Sequence, residues 1–177
     1  MNMLPRIVRM GLLVGLLVAG SAQAATYWLD KHFDKVPRSQ ARYRAVVSET
    51  REQPGWPITI RRVDGGRYMN AYVDNPKLNG NYKMVGPYRQ YRDSGDRALI
   101  ETGQRNAKGQ STGTITFYDR QGHLDRKAEY AHGKRNGPTL EYDEDGEVYR
   151  TTEYVDGKKE GPSKSFRDGV LQSIEPY

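Results

Sequence analysis

The sequence predicts a mainly-β protein: an elongated, open antiparallel sheet of consecutive β-hairpin repeats, with a non-repeat cap segment at its N-terminal end. Three observations carry that prediction. The first is a 24-residue period: Tyr130-Ala-His-Gly133-Lys-Arg-Asn-Gly137-Pro is followed by Tyr154-Val-Asp-Gly157-Lys-Lys-Glu-Gly161-Pro. Self-similarity at fixed spacing marks a repeat architecture, in which each unit buries its apolar face against its neighbours. The second is an aromatic residue at the fifth position after each unit-starting glycine: Tyr91, Tyr118, Tyr142 and Phe166 follow Gly86, Gly113, Gly137 and Gly161. The third is composition, with 13 Tyr and 19 Gly against 3 Phe and 2 Trp. That balance suits pleated strands joined by tight turns.

Taken in chain order, residues 1–24 read as a signal peptide. Arg6 and Arg9 precede a short apolar run from Gly11 to Ala19, and Ala22-Gln-Ala24 supplies a small-x-small cleavage pattern before Ala25. The run is about half of the roughly 18 apolar residues that a membrane span needs. Export to the periplasm with cleavage after Ala24 is the expectation. The chain has no Cys, so neither acylation nor a disulfide is expected, and packing and sheet hydrogen bonds must supply stability. Loss of Arg6 and Arg9 lowers the formal net charge from +6 to about +4. A basic balance favours acidic protein partners or anionic lipid. No RNA-binding motif and no basic run interleaved with aromatics points to nucleic acid.

Residues 25–57 do not fit the repeat and read as the atypical cap that an open array requires. Tyr27 to Asp30 reads as a strand. Ser39 to Glu49 is compatible with a short helix or a strand, and Glu52 to Pro57 reads as a loop. The repeat domain then covers residues 58–177. Ile58 to Val63 alternates and meets Asp64-Gly65-Gly66, a hairpin-turn signal. Tyr72 to Tyr82 reads as a degenerate unit feeding Gly86.

The clear units span about 86–112, 113–136, 137–160 and 161–174. A second glycine, Gly95, Gly122 or Gly146, follows the first by nine positions, and Gly169 follows Gly161 by eight. Unit starts are 27, 24 and 24 residues apart, which places a three-residue insertion between Asp96 and Gly109. Each unit predicts a strand that ends on the aromatic, an Asp-x-x-Gly turn, a second strand and a Gly-Lys return. Asp caps backbone N–H groups in such a turn and Gly takes its positive φ. Leu124, Arg126, Ala128 and Tyr130 would share one face, as would Val148, Arg150, Thr152 and Tyr154. The recurring aromatics would pack ring on ring between units, and the unit-starting glycines would be turn residues.

These units resemble MORN-type repeats. The resemblance rests on Tyr-x-x-Gly-Lys-x-x-Gly-x-x-x-x-aromatic from Tyr130 to Tyr142 and from Tyr154 to Phe166. Gly109 to Tyr118 is a copy without the leading Tyr. The longer period and the Tyr-Asp-x-x-Gly element are similar to the bacterial variant labelled YwqK-family antitoxin. The resemblance covers roughly residues 70–169. It implies a scaffold, a lipid binder, or an antitoxin or immunity protein, and it brings no catalytic motif.

His32, His123 and His132 lack the three or four converging ligands that zinc needs. In Asp143-Glu-Asp-Gly146-Glu147 the sixth and twelfth positions are Val148 and Tyr154, where a calcium loop wants Gly and Glu. No nucleophile–base pair and no phosphate loop stands out. The expectation is therefore a non-enzymatic protein without cofactor or metal. It would bind a protein partner, a co-encoded toxin or effector, by occlusion; the alternative is an envelope scaffold that binds anionic lipid. Partner contacts are expected in the turns of the last two units or, with preference, in residues 25–57.

Overall fold

The computed structural model describes residues 24–93 and 98–176. Most of the expected signal segment, with Ala22, lies outside the described residues, and so does Gly95. The described chain is one open antiparallel sheet of 13 strands in sequence order, without an α-helix. The first five strands are β1 (Ala25–Leu29), β2 (Tyr43–Val47), β3 (Trp56–Arg62), β4 (Arg67–Val73) and β5 (Met84–Tyr91). There follow β6 (Leu99–Arg105), β7 (Ser111–Tyr118), β8 (Leu124–Ala131), β9 (Lys134–Tyr142) and β10 (Val148–Val155). A two-residue strand, β11 (Lys158–Lys159), pairs with β10, and β12 (Ser163–Arg167) and β13 (Val170–Glu175) close the sheet.

Residues 25–57 supply strands of the same sheet. Ala24 is exposed, and Ala25 begins β1 opposite Val47. Ser39 to Glu49 contains parts of both alternatives: a 3-10 turn at Arg38–Gln40, then β2. Trp56 and Pro57, expected in a loop, open β3 instead, and Pro57 stands near the strand start, where a missing N–H is tolerated. The expected faded unit from Tyr72 to Tyr82 is the end of β4 followed by a loop.

Opposed residues of an antiparallel pair share a face. Tyr27, Ala45, Ile60 and Met69 lie opposite one another across β1 to β4 on the covered face. Leu29, Ala45, Val47, Ile60 and Val73 are fully buried there. Two loops close over this face. Phe33 of the first stacks on Tyr43 at 5.2 Å and meets Tyr68 at 5.7 Å. Leu78 of the second is buried, and Lys35 Nζ ties the two loops by donating to Asn79 Oδ1 at 2.6 Å. Burial pushes the Tyr43 phenol up to about 12, helped by neighbouring Tyr68 and by Asp93.

The repeat turns form as local chemistry dictates. Asp143 Oδ1 accepts from the N–H groups of Asp145 and Glu147 at 3.1 and 2.9 Å, and Asp119 Oδ1 accepts from His123 N at 2.8 Å. Partial burial works against the Asp119 carboxylate, yet N–H groups of His123, Gly122 and Gln121 lower its pKa. Gly122 and Gly146 sit in such turns, whereas Asp168 and Gly169, both with positive φ, form a two-residue turn between β12 and β13. Gly133 and Gly157 belong to two-residue turns, and their N–H groups donate to Ser111 O and Arg135 O at 2.9 and 2.8 Å. That repeated bond is the 24-residue period in physical form.

The unit-starting glycines are not turn residues. Gly86, Gly113 and Gly137 lie within β5, β7 and β9. The ladder slips nearby: Asn70 and Tyr72 face Arg89 and Val85, and Ala128 and Tyr130 face Thr139 and Arg135. Four residues against two make a bulge, which a positive φ accommodates. Gly161 stands between β11 and β12, again with positive φ. The strands consequently begin two or three residues before the glycine. The extra residues of the first unit are divided between the connection 92–98 and a five-residue turn, Asn106 to Gln110. There Asn106 Oδ1 accepts from Lys108 N and Gln110 N, as Asp does in the other turns.

Candidate binding surface

The second face of the sheet is left open over its first half. Pro57, Thr59, Asn70, Tyr72, Pro87 and Arg89 belong to it. A depression of about 760 Å³ crosses β3 to β7 on this face. Thr59, Asn70, Tyr72, Arg89, Thr102 and Tyr118 are among its lining residues. It offers hydroxyl and amide hydrogen-bonding groups, one guanidinium and aromatic rings.

The recurring aromatics sit on this face, but they do not stack on one another. Consecutive units are two strands apart, about 10 Å, beyond the roughly 7 Å reach of ring pairing. Among the described residues the ring contacts join Phe33, Tyr43 and Tyr68 only. A cation on the preceding strand covers two of the rings instead. Arg67 stands 4.8 Å from the Tyr91 ring, and Lys127 stands 5.6 Å from the Tyr142 ring. Phe166 is half-buried opposite Leu171. The leading tyrosines behave alike on the covered face, where Arg135 lies 3.9 Å from the Tyr154 ring and opposite Tyr130. Arg105 lies over Tyr88, whose hydroxyl donates to Glu101; burial and that bond raise its pKa.

The histidines remain peripheral. His132 occupies a turn, and His123 Nδ1 lies 3.4 Å from Asp119 Oδ2. Among the described residues no group of three or more His, Asp or Glu side chains converges as a metal site.

Charge divides the sheet in a way that the whole-chain balance conceals. Residues 24–93 carry thirteen Lys and Arg against seven Asp and Glu, whereas residues 98–176 carry twelve against fourteen. The first region is basic by six charges and the second acidic by two. Part of the excess stands in register on the open face: Arg44 opposite Arg61, and Arg61 opposite Arg67. Sequence reasoning passed over this row because its members are 17 and six residues apart, and only the strand register brings them together. A comparison with family models, with curated proteins and with solved structures finds no match to this chain.

Proposed function

We propose that this chain is an exported, non-enzymatic protein-binding module of the immunity type, which neutralises an envelope-acting toxin or effector by covering it. The depression across β3 to β7 supports this reading most directly. Protein interfaces of ordinary size bury about 800 Å² per partner, and a few aromatic and Arg anchors carry most of the energy. Tyr72, Arg89 and Tyr118 are anchors of those types on one face of a continuous sheet. The MORN-like, antitoxin-like pattern of the repeats agrees with it. The reading invokes no metal, cofactor or nucleic acid.

The test is capture from the native host with the chain beginning at Ala25. The expected result is a co-purifying toxic protein whose activity falls on binding, with capture lost in Arg89→Glu. If neighbouring genes encode nothing toxic and no inhibited protein is recovered, the immunity reading fails.

The charge division favours a second reading, an envelope scaffold that holds an anionic lipid surface by its basic end. Co-sedimentation with anionic vesicles at low salt, where surface attraction is strongest, checks it. Absence of co-sedimentation there would remove this reading.

A further inference from the structure

The row of arginines on the open face is built as a site. Register places Trp28 opposite Arg44, Arg44 opposite Arg61, and Arg61 opposite Arg67. Opposed side chains stand about 5 Å apart, and like charges so placed destabilise a sheet. Arginine cannot relieve the repulsion by losing its proton near neutral pH. A fourth cation, Arg38 of the 3-10 turn, holds its guanidinium 4.9 Å from the Trp28 ring. Trp28, Arg38, Arg44 and Arg61 line one pocket of about 180 Å³, with Arg62 beside them.

Carboxylates answer the neighbouring cations and leave these alone. Asp93 takes Arg42 at 2.5 Å, and Asp64 takes Arg62. Among the described residues no carboxylate lies within ion-pair distance of Arg38, Arg44 or Arg61. Among the described residues Arg61 Nη1 reaches only the carbonyl oxygen of Gly65, at 3.4 Å. Planar, forked donors converging beside an indole are suited to a phosphate-type oxyanion, which several guanidinium groups can grip at once.

We propose that this pocket binds a phosphate-bearing ligand. Arg44 and Arg61 hold its oxygens from the floor of the sheet, Arg38 approaches from the 3-10 turn, and Trp28 forms the apolar wall. A soluble phosphate compound and a phospholipid headgroup share that chemistry. The inference deepens the anionic-surface reading above, and a soluble probe tests the pocket apart from the membrane.

The probe is pyrophosphate, added at low ionic strength to the chain beginning at Ala25 in a Trp56→Phe background. That background leaves Trp28 as the sole indole. Saturable change in Trp28 fluorescence and a raised Tm are expected, because a ligand of the folded state stabilises it. Arg44→Gln with Arg61→Gln should weaken binding at least about tenfold, since each removes a charge-assisted hydrogen bond. Without probe, that double variant should melt no lower than its parent, because it relieves repulsion; a lower Tm would mark a merely structural pair and overturn the proposal. Lys158→Gln with Lys159→Gln removes equal charge at β11 and should leave affinity within about twofold, as for a distant, screened site. Absence of saturable binding, or equal loss in the β11 control, also overturns it. Vesicles of phosphatidylcholine and phosphatidylglycerol separate the sources. Co-sedimentation that needs Arg44 and Arg61 and yields to pyrophosphate identifies a headgroup; pyrophosphate binding without co-sedimentation identifies a soluble ligand.

Discussion

Strands β1 to β5 hold ten buried residues in one cluster beneath two loops, and Leu78 of the second loop completes it. From β6 onward the buried residues are few and small: Ile115, Ala128, Thr139, Thr152 and Ser163, with Tyr154 beside them. The last strand, β13, is exposed along its whole length. The region with the clearest repeat is therefore the region with the thinnest core. Periodicity in this chain records turn and bulge chemistry, which must recur in every unit. Burial depends on what lies across the face, and among the described residues the loops that cover it come from the irregular N-terminal region.

Gly86 and Gly113 offer the sharpest way to break this comparison. Both occupy the same repeat position with φ of +67°. A Cβ on Gly86 would stand 2.0 Å from Pro54 Cγ, whereas one on Gly113 would meet nothing within 4 Å. Gly86→Ala should lose about 4 kcal/mol, combining overpacking with a left-handed backbone. Gly113→Ala should lose about 1 kcal/mol from the backbone alone. Equal losses by denaturant titration would show that the two regions are held alike.

Core truncation should divide the regions nearly as strongly. Ile60 is fully buried and Ile174 is 54% exposed. Ile60→Ala should cost about 3 kcal/mol, as other buried large-to-small changes do. Ile174→Ala should stay within about 0.5 kcal/mol, as exposed sites do. Hydrogen exchange should follow the same gradient, with β13 amides exchanging before those of β2 to β4.

Alkaline pH should weaken the N-terminal region in particular. The Tyr43 phenol titrates near 10 when unfolded and is pushed up to about 12 in the fold. Because the folded state favours the neutral phenol, its stabilising share is intact below pH 10 and is lost as pH rises towards 12. Tyr43→Phe should flatten the melting temperature across that window. A decline unchanged in the variant would remove Tyr43 as its cause.

The smallest expected effect lies in the repeat region. Thr139 is buried, and its Oγ1 has no hydrogen-bond partner. Its β9 position lies opposite Thr152, whose own hydroxyl is bonded to Ser163 at 3.0 Å. Thr139→Val should therefore be neutral or stabilising by up to about 1 kcal/mol, because an unsatisfied buried hydroxyl is removed. A clear loss of Tm would reveal a partner for Thr139.

Legibility in the sequence followed the range of the interactions. Asp119, Asp143, Gly133 and Gly157 were readable because a turn is decided within five residues. Asn106 obeys the same rule, with Asn in place of Asp, but the longer unit hid it. The tyrosines were recognised as regular and misassigned as a ring stack, because strand spacing decides which rings can touch. Pro54 gave no sign of its contact with Gly86, 32 residues away.

By itself, then, the sequence determined the architecture: antiparallel hairpins at a 24-residue period, with their turns and their alternating faces. Those features arise from backbone preferences that neighbours along the chain suffice to set. Only the tertiary structure decided which face is covered, where the core ends, and that Arg44, Arg61 and Arg67 stand side by side. Register across strands brings together residues that the chain keeps apart, and one residue of slip would turn each of them to the other face.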